Sequence, residues 1–410
     1  MQPIDEPNGK RVPQFLSGHQ ISLAALRERV EAQFIAETAA RPDILREADE
    51  AARRDLIRDV LDYVLATDSI NLSRADRLVA LDITYHDLFD FGPLYSALSD
   101  ETVTEFTIDG PDRVHIRHNA EDMQAFDGTF DDSAHLERVV GRVLATAGTQ
   151  LSQRDPVLEL GMALAGRPAR LTVIAPPISP LIHVDGRLHP AQAATSESIV
   201  ASGLVDAVAM RTLQAIIAAG HGLMIVGDVG TGKTTLLEAL LSTLPSGAIV
   251  VERARELRVP EPIERIAAVP PAQNQEPVEF APQIEAAVAK SPTWLVLDEV
   301  RFDEAQAMWH ALTADSIQHC LWVFRGATDP MRLRAAFSMS VRRAVPGIDQ
   351  ELIHSALVDR LPFVALMTHR NHRLHLLSIG EWQRDDQQPD TLALRTIWPD
   401  SGNRPIHAID

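Results

Sequence analysis

The stretch GDVGTGKTT, at residues 227–235, constrains the fold of this chain more than any other segment. The apolar residues LMIV precede it and the helical pattern TLLEALLSTL follows it, so it joins a strand to a helix. Gly227, Gly232, Lys233 and Thr234 satisfy the pattern G-x-x-x-x-G-K-[ST], in which backbone N–H groups and a helix N-terminus surround phosphate. The segment therefore predicts a nucleotide site.

The residues of this loop have separate expected parts in binding ATP. Lys233 is expected to reach the β- and γ-phosphates, Thr234 to ligate Mg²⁺, and Thr235 to lie near the α-phosphate. The predicted binding loop comprises Gly227, Asp228, Val229, Gly230, Thr231, Gly232, Lys233, Thr234 and Thr235.

The segment WLVLDE, at residues 294–299, supplies the acidic groups that such a site needs. Its four apolar residues predict a buried strand, and Asp298 and Glu299 follow them. We expect Asp298 to hold Mg²⁺ through water and Glu299 to orient the attacking water. Together with Lys233, these residues predict hydrolysis of the β–γ bond of ATP.

The pattern of apolar runs predicts the fold class. In the second half of the chain the strand segments LMIV, AIVV, WLVL and CLWVF alternate with helical patterns, and residues 363–379 predict a hairpin. Such alternation is typical of an α/β domain with a mainly parallel sheet covered by helices on both faces.

The first half of the chain predicts a different organisation. Residues 43–98 are helical in pattern, with an apolar stripe over 56–65, and a strand–turn–strand pattern begins at residue 103. We predict a helical region at 1–100, a small α/β domain at 101–175, a linker at 176–196 and the phosphate-binding domain at 197–410.

Composition restricts the partners of this chain. Its 57 acidic and 38 basic side chains give a formal net charge of −19, which disfavours stable binding of nucleic acid. No sequence run approaches the roughly 20 apolar residues of a membrane-spanning helix. The first residues lack a secretory-signal pattern, and Cys320 is the single cysteine. We expect a cytoplasmic protein.

Several segments resemble the type II/type IV secretion and pilus-assembly ATPases (the GspE/PilT-like superfamily), and most closely their CpaF (Tad pilus) branch. VTEFTIDGPDRVHI is similar to VTEIMVNGPDRIYV of that branch, FGPLYSALSD to GLGPLEPLLAD, and ARLTVIAPP to SRVNAIIPP. VERAREL falls at the family's acidic box, IEDAAEL, and DEVRFDEA falls at GEVRGGEA. The resemblance covers roughly residues 43–400.

This resemblance implies an architecture and a way of working. It implies a RecA-like P-loop ATPase domain, preceded by a small PAS-like α/β domain and an N-terminal helical bundle. It also implies a hexameric ring of identical subunits, associated peripherally with the inner membrane through a platform protein. In such a ring, ATP turnover moves the N-terminal domains against the RecA-like domains and so extends or retracts a filament.

The resemblance also assigns roles to particular residues. Glu252 and Glu256 match two acidic-box carboxylates, Glu299 matches the catalytic glutamate, and Arg301 matches the arginine that follows it. Arg170 matches an arginine before the linker that, in this family, can approach a nucleotide phosphate at a domain interface.

Three departures from the family pattern bear on activity. Arg253 stands where the acidic box has aspartate, and Asp298 stands where relatives commonly have glycine. In the histidine box, HCLWVFRGATDP replaces GSLTTIHANSP, so that Arg325 takes the histidine position. Arg325 either contacts the γ-phosphate or points into solvent. Arg253 either pairs with its neighbours Glu252 or Glu256 or disturbs metal binding, and the sequence decides neither question.

These features leave three functions open. Lys233 and the Asp298–Glu299 pair favour a motor that hydrolyses ATP. The altered histidine box and Arg253 favour a ring component that binds ATP but turns it over slowly or never. A DNA-transfer motor is the third candidate, and the acidic balance of the chain opposes it.

Overall fold

The computed structural model describes residues 22–39, 49–271, 276–301, 303–370, 373–385, 388–399, 402 and 405–409. The chain divides into two compact units. The first comprises Met1–Leu158 and Ala163–Leu188, and the second comprises Glu159–Met162 and His189–Asp410. Residues 1–21 and 40–48 of the predicted helical region lie outside the described residues.

Three helices at the start of the first unit pack around an apolar core. They are α1 (Leu23–Ala39), α2 (Glu50–Thr67) and α3 (Arg74–Phe89). The side chains of Asp49 and Ser73 cap α2 and α3 by accepting backbone N–H bonds. The predicted apolar stripe of α2 is buried at Ile57, Val60, Leu61, Val64 and Leu65. A 3₁₀ turn (Gly92–Leu94) and α4 (Tyr95–Leu98) follow.

A six-stranded sheet and one helix complete the first unit. The sheet has the order β3-β2-β1-β6-β5-β4, in which β1 pairs antiparallel with β2 and β6, and β5 pairs antiparallel with β6. The elements are β1 Val103–Asp109, β2 Val114–His118, β3 Gln124–Ala125, α5 Ser133–Thr146, β4 Val157–Leu164, β5 Arg167–Ile174 and β6 His183–Leu188. The middle of β4, Glu159–Met162, is counted with the second unit. The strand–turn–strand predicted from residue 103 is confirmed.

β6 lies inside the range that the sequence predicted as a linker, residues 176–196. It hydrogen-bonds to β1 on one side and to β5 on the other, so residues 183–188 belong to the sheet and that part of the prediction is wrong. Its buried positions, Val184, Gly186 and Leu188, alternate with charged or polar ones. A strand this short, with glycine at a buried position, carries a weak apolar signal.

Gly186 is required in β6 because an aromatic ring covers it. It lies opposite Phe106 of β1 in the strand register, and Phe106 is fully buried. A Cβ atom at residue 186 would lie 2.2 Å from two atoms of that ring. The ring therefore packs on the glycine, an arrangement known to support glycine within sheets.

The second unit is built on an eight-stranded sheet with the order β14-β13-β12-β7-β11-β10-β8-β9. Strand pairs from β12 through β7, β11, β10 and β8 to β9 are parallel, whereas β12, β13 and β14 are antiparallel to one another. The strands are β7 Leu223–Gly227, β8 Ala248–Glu252, β9 Glu264–Ala267, β10 Trp294–Val300, β11 His319–Arg325, β12 Phe363–Arg370, β13 Arg373–Asp385 and β14 Gln388–Trp398. The predicted mainly parallel sheet and the hairpin at 363–379 are confirmed.

Helices cover both faces of this sheet. Along β7, Met224 and Val226 belong to one apolar core and Leu223 and Ile225 to the other, as expected for a strand buried on both faces. The helices are α6 Ser196–Ala201, α7 Ala207–Ala218, α8 Lys233–Leu241, α9 Phe280–Ala289, α10 Ala305–Thr313, α11 Pro330–Ala344 and α12 Gln350–Arg360. Within the described ranges, no helix combines the length and the apolarity needed to cross a bilayer.

Replacing Gly186 by alanine is expected to destabilise the first unit, because the added methyl group would overlap the Phe106 ring. Overpacking of this kind costs about 1–3 kcal/mol, which thermal denaturation followed by circular dichroism would register as a lower Tm. Gly141→Ala is the matched control, since nothing lies within 4 Å of a Cβ there and the site is helical. Adding Phe106→Leu to Gly186→Ala removes the ring that the methyl group would overlap, so the double variant should recover part of the lost Tm. Equal melting of Gly186→Ala and the wild type would contradict the packing argument.

Candidate functional site

The predicted phosphate-binding loop joins β7 to α8. Gly227 ends the strand, Lys233 begins the helix, and φ is +71° at Gly230 and +86° at Gly232 between them. Side chains are strained at such φ values, so the turn requires glycine at both positions. A Cβ at Gly227 would lie 2.5 Å from Thr231 Oγ1 and 2.7 Å from a backbone carbonyl of β12. The loop therefore closes tightly on itself and on the neighbouring strand.

Side chains of this loop bind the loop's own backbone. Lys233 Nζ donates to the carbonyl of Asp228 at 2.6 Å, and Thr231 Oγ1 donates to the same carbonyl at 2.8 Å. Lys233 is buried, and Thr234 and Thr235 are half-buried on the first turn of α8. An ammonium group, hydroxyl groups and a helix N-terminus form the donor and ligand set that a triphosphate with Mg²⁺ requires, so the residues present fit both.

The acid pair lies towards the carboxyl end of β10. Asp298 is 3% exposed and Glu299 is 8% exposed. Asp298 Oδ2 accepts the backbone N–H of Arg253 at 3.0 Å, and Glu299 Oε2 accepts a bond from Arg301 Nη2 at 3.0 Å. Because β7, β11 and β10 are parallel, the loop and the acid pair emerge at the same edge of the sheet.

Arg301 holds Glu299 beside a second carboxylate of the same unit. Its two terminal nitrogens donate to the two oxygens of Glu159 at 3.1 and 2.9 Å. Its backbone N–H donates to Glu304. A bidentate arginine–carboxylate pair fixes the plane of the guanidinium, so Glu299 faces a rigid donor.

Glu252 and Glu256 lie in VERAREL, residues 251–257, the segment here called the acidic box; both are buried and they have different partners. Glu252 is completely buried, forms an ion pair with Arg265 and accepts the backbone N–H of Leu257 at 2.9 Å. Burial raises the pKa of Glu252 to about 7, although Arg265 opposes the shift. Glu256 Oε2 lies 3.0 Å from Nε2 of His189. Glu252 therefore titrates near neutral pH, whereas Glu256 contacts the first residue of the second unit after β6.

Arg253 connects the segment VERAREL to the residues that follow β10. Its guanidinium donates to Asp303 at 2.7 and 3.2 Å and also to Glu304, and its Nε donates to the carbonyl of Glu299 at 3.0 Å. It lies 4.5 Å from the centre of the Phe280 ring. In the described part of the chain, Arg253 therefore pairs with acids before α10 and not with the box glutamates.

The two acids that bind Arg253 differ in their affinity for protons. Burial raises the pKa of Glu304 to about 7, and the hydrogen bond with Asp303 adds to the shift. At Asp303, burial also acts to raise the pKa, but hydrogen bonds from Glu304 and Arg253 outweigh it and hold the pKa well below its usual range. Asp303 therefore carries the charge beside Arg253, while Glu304 gains a proton near neutral pH.

The remaining two predicted site residues lie in different units. Arg325 ends β11, and its backbone pairs in register with Gly227 of the phosphate-binding loop. Its side chain is exposed, and no hydrogen bond or ion pair engages it among the residues that the structure describes. Arg170 is buried in β5 of the first unit, opposite Arg187 of β6.

Sequence reasoning missed three acids of this cluster. Asp303 and Glu304 belong to the segment DEVRFDEA, but they follow the end of the predicted strand, and no role was predicted for them. Glu159 carries no local signal, because it lies 142 residues before the arginine that it binds. Only the tertiary structure brings such a pair together.

A family model described as Type II/IV secretion system protein matches residues 87–319, more than half of the chain. The chain belongs to this family. The matched range contains the phosphate-binding loop, the acidic box and the acid pair, and it ends before Arg325. The protein is accordingly an ATPase of the type II/IV secretion class.

Two relatives and one solved structure match this secretion ATPase over much of their length. Rv3659c of Mycobacterium tuberculosis, provisionally named a conjugal transfer protein, is 26% identical over 298 residues, covering 70% of this chain and 82% of that one. The type IV secretion system protein PtlH of Bordetella pertussis is 23% identical over 265 residues, covering 58% and 75%. The X-ray structure of the Legionella pneumophila ATPase DotB is 14% identical, with coverage of 74% and 84% and a TM-score of 0.46.

Replacing Arg253 by aspartate is expected to destabilise the second unit. Arg253→Asp removes the cation that pairs with the buried Glu304 and adds a further acid beside it. Above pH 7, where Glu304 is ionised, breaking this buried pair should cost about 3 kcal/mol. This is the lower end of the usual range, because the second acid that Arg253 binds, Asp303, is exposed and can be solvated. Thermal unfolding should show a lower Tm than for the charge-preserving control Arg253→Lys.

Adding Glu304→Gln to Arg253→Asp tests the cause of this loss. Glutamine keeps the size of the side chain and removes its charge, so the double variant should recover part of the lost Tm. A single Arg253→Asp variant as stable as the wild type would show that the cluster does not depend on the arginine.

Proposed function

We propose that this protein is the motor subunit of a Tad-like pilus or a related secretion machine, and that it works as a six-membered ring of identical chains. The observation that carries the proposal is the phosphate-binding loop and the Asp298–Glu299 pair at one edge of a parallel sheet. Family membership supports the broad assignment. The similarity of VTEFTIDGPDRVHI and its neighbouring segments to the CpaF branch supports the narrower one.

In this proposal, an inner-membrane platform protein binds the ring from the cytoplasmic side. The net charge of −19 disfavours direct adsorption to an anionic lipid surface, so a protein partner accounts better for association with the membrane. The mechanical output is a movement of the N-terminal domains that ATP turnover drives.

The proposed reaction is hydrolysis of the β–γ bond of ATP. Lys233 exchanges the carbonyl of Asp228 for phosphate oxygens, and Glu299, which Arg301 orients, positions the attacking water. Thr234 and Asp298 are the proposed ligands of Mg²⁺, which when bound neutralises charge on the phosphate oxygens. Each of these residues lies at the carboxyl edge of the second sheet or on the first turn of α8.

We assign to Arg325 the positive charge that the histidine box supplies in relatives. Its backbone neighbours Gly227, and its exposed guanidinium is available for a ligand. A guanidinium stays protonated at all physiological pH values and can bind two phosphate oxygens at once. An arginine at the γ-phosphate accelerates phosphoryl transfer by orders of magnitude, so this departure is compatible with turnover.

A slow or inactive ring component is the second candidate, and the contacts of the acid pair favour it. The N–H of Arg253 binds one oxygen of Asp298, and Arg301 binds Glu299. Both acids thus have protein partners. Mg²⁺ at Asp298 and the attacking water at Glu299 must share or displace these partners. Such competition slows hydrolysis without preventing ATP from binding.

A DNA-transfer motor is the third candidate. The name of Rv3659c, a relative that this chain matches over 82% of that protein's length, favours it. The formal net charge of −19 opposes it, because DNA binding depends on a surface of basic side chains.

Two substitutions separate binding from turnover. Lys233→Ala should abolish ATP binding measured by calorimetry, because the residue supplies the charge that faces the phosphates. Glu299→Gln should retain binding and lose at least about 100-fold in phosphate release, the usual contribution of a positioned base. Both assays are run with Mg²⁺ on the assembled wild type and on the two variants.

The pattern of results distinguishes the three candidates. Turnover by the wild type, with both variants at background, supports the motor. ATP binding with all three proteins at background turnover identifies the inactive ring component instead. Stimulation of wild-type turnover by polynucleotide favours the DNA-transfer motor, and absence of any heat with ATP rejects all three.

Arg325 has its own test. Arg325→Ala should lower kcat at least about tenfold, whereas Arg325→His, which restores the family residue, should lose less. The Tm should not change, because the side chain is exposed. Arg332→Ala is the matched control, an exposed arginine of α11. Equal kcat for Arg325→Ala and Arg332→Ala would assign Arg325 to the solvent-exposed surface.

A further inference from the structure

The first residues of the second unit after β6, 189–194, are here called the lead-in segment. A single arginine, Arg258, donates hydrogen bonds to three of its backbone carbonyls. Arg258 donates from Nη2 to the carbonyls of Pro190 and Ala191, the latter at 2.9 Å. It also donates from Nη1 to the carbonyl of Gln192 at 3.3 Å. Three successive carbonyls of one segment therefore accept bonds from one guanidinium.

Glu238 joins this arginine and the lead-in segment to the phosphate-binding helix. It lies on α8, five residues after Lys233, and is 8% exposed. One carboxylate oxygen accepts the N–H of Ala194 at 3.3 Å. The other accepts the backbone N–H of Arg258 at 3.1 Å and its Nη1 at 3.3 Å. The helix that begins at Lys233 is thus bonded to the lead-in segment both directly and through Arg258.

The acidic box attaches at the same place. Glu256 contacts His189 at the start of the lead-in segment, with 3.0 Å between Oε2 and Nε2. Arg258 lies only two residues after Glu256. The acidic box, the phosphate-binding helix and the lead-in segment therefore meet in one polar junction, in which both oxygens of the buried Glu238 accept hydrogen bonds.

We propose that Arg258 and Glu238 are positioning residues that couple the nucleotide site to the lead-in segment, an inference that rests on ATP binding at the loop as proposed above. When Lys233 exchanges the Asp228 carbonyl for phosphate, the first turn of α8 changes its contacts. Glu238, one helical turn further on, transmits that change to the N–H of Ala194 and to Arg258. The lead-in segment directly follows β6 of the first unit in the chain, so it is one covalent connection between the units.

Hydrogen exchange of the full-length chain tests this coupling, because the Ala194 amide donates to Glu238 in the junction. The measurement compares exchange in a peptide covering the lead-in segment without nucleotide and with a non-cleavable ATP analogue plus Mg²⁺. In the wild type the analogue should change that exchange rate by about fivefold or more, the lower end of typical coupling between sites. Arg258→Met and Glu238→Gln should lose the response while still binding the analogue.

Arg360→Met is the matched control variant. Arg360 also donates to three backbone carbonyls of the second unit, those of Leu312 at 3.1 Å, Gln318 at 3.4 Å and Ile317. Its removal takes away a comparable set of bonds elsewhere in the same unit, and the nucleotide response should survive. In kinetics, Arg258→Met should lower kcat with KM unchanged, and Arg258→Lys, which retains the charge, should recover part of kcat.

Each remaining outcome decides against the inference. A response that persists in both Arg258→Met and Glu238→Gln overturns it, as does equal loss of the response in Arg360→Met. A wild type that binds and hydrolyses ATP without any response of the lead-in segment rejects the coupling and leaves the proposed function intact. A wild type that does not bind the analogue rejects the proposed function first, and the coupling with it.

Discussion

Parallel pairing of β7, β11, β10 and β8 is the constraint on which the candidate site depends. Because these strands run in one direction, their carboxyl ends meet at one edge of the sheet, where Gly227, Glu252 and Arg325 each end a strand. Apolar cores on both faces fix the register of the strands. The positions of the charged groups therefore follow from packing that contains no charge at all.

Charge compensation is the second constraint on this edge. Buried carboxylates are tolerated only with partners, and three of those at this edge have an arginine: Arg265 for Glu252, Arg301 for Glu299 and Arg253 for Glu304. The buried Asp298 is held in a different way, since one of its carboxylate oxygens accepts the backbone N–H of Arg253.

The sequence predicted those parts of the fold whose signals are local. The apolar runs of β7, β8, β10 and β11 and the glycines of the loop were sufficient to place the second sheet and the turn before α8, since four-residue apolar runs and positive-φ glycines have few alternatives. β6 was missed because its glycine and its alternating charged residues lack such a run. The acids adjacent in sequence to Arg253, Glu252 and Glu256, are not its partners, because pairing depends on which acids the fold brings near it.

By itself the sequence determined the family to which this protein belongs, and it predicted the chemistry: a loop for phosphate and an acid pair for water and metal. The tertiary structure alone decided which charges neutralise one another, and that the lead-in segment is bonded to the phosphate-binding helix through Arg258 and Glu238. The physical reason is range. Backbone conformation and apolar periodicity are encoded within a few neighbouring residues, whereas an ion pair such as Arg301–Glu159 forms between residues that only folding brings together.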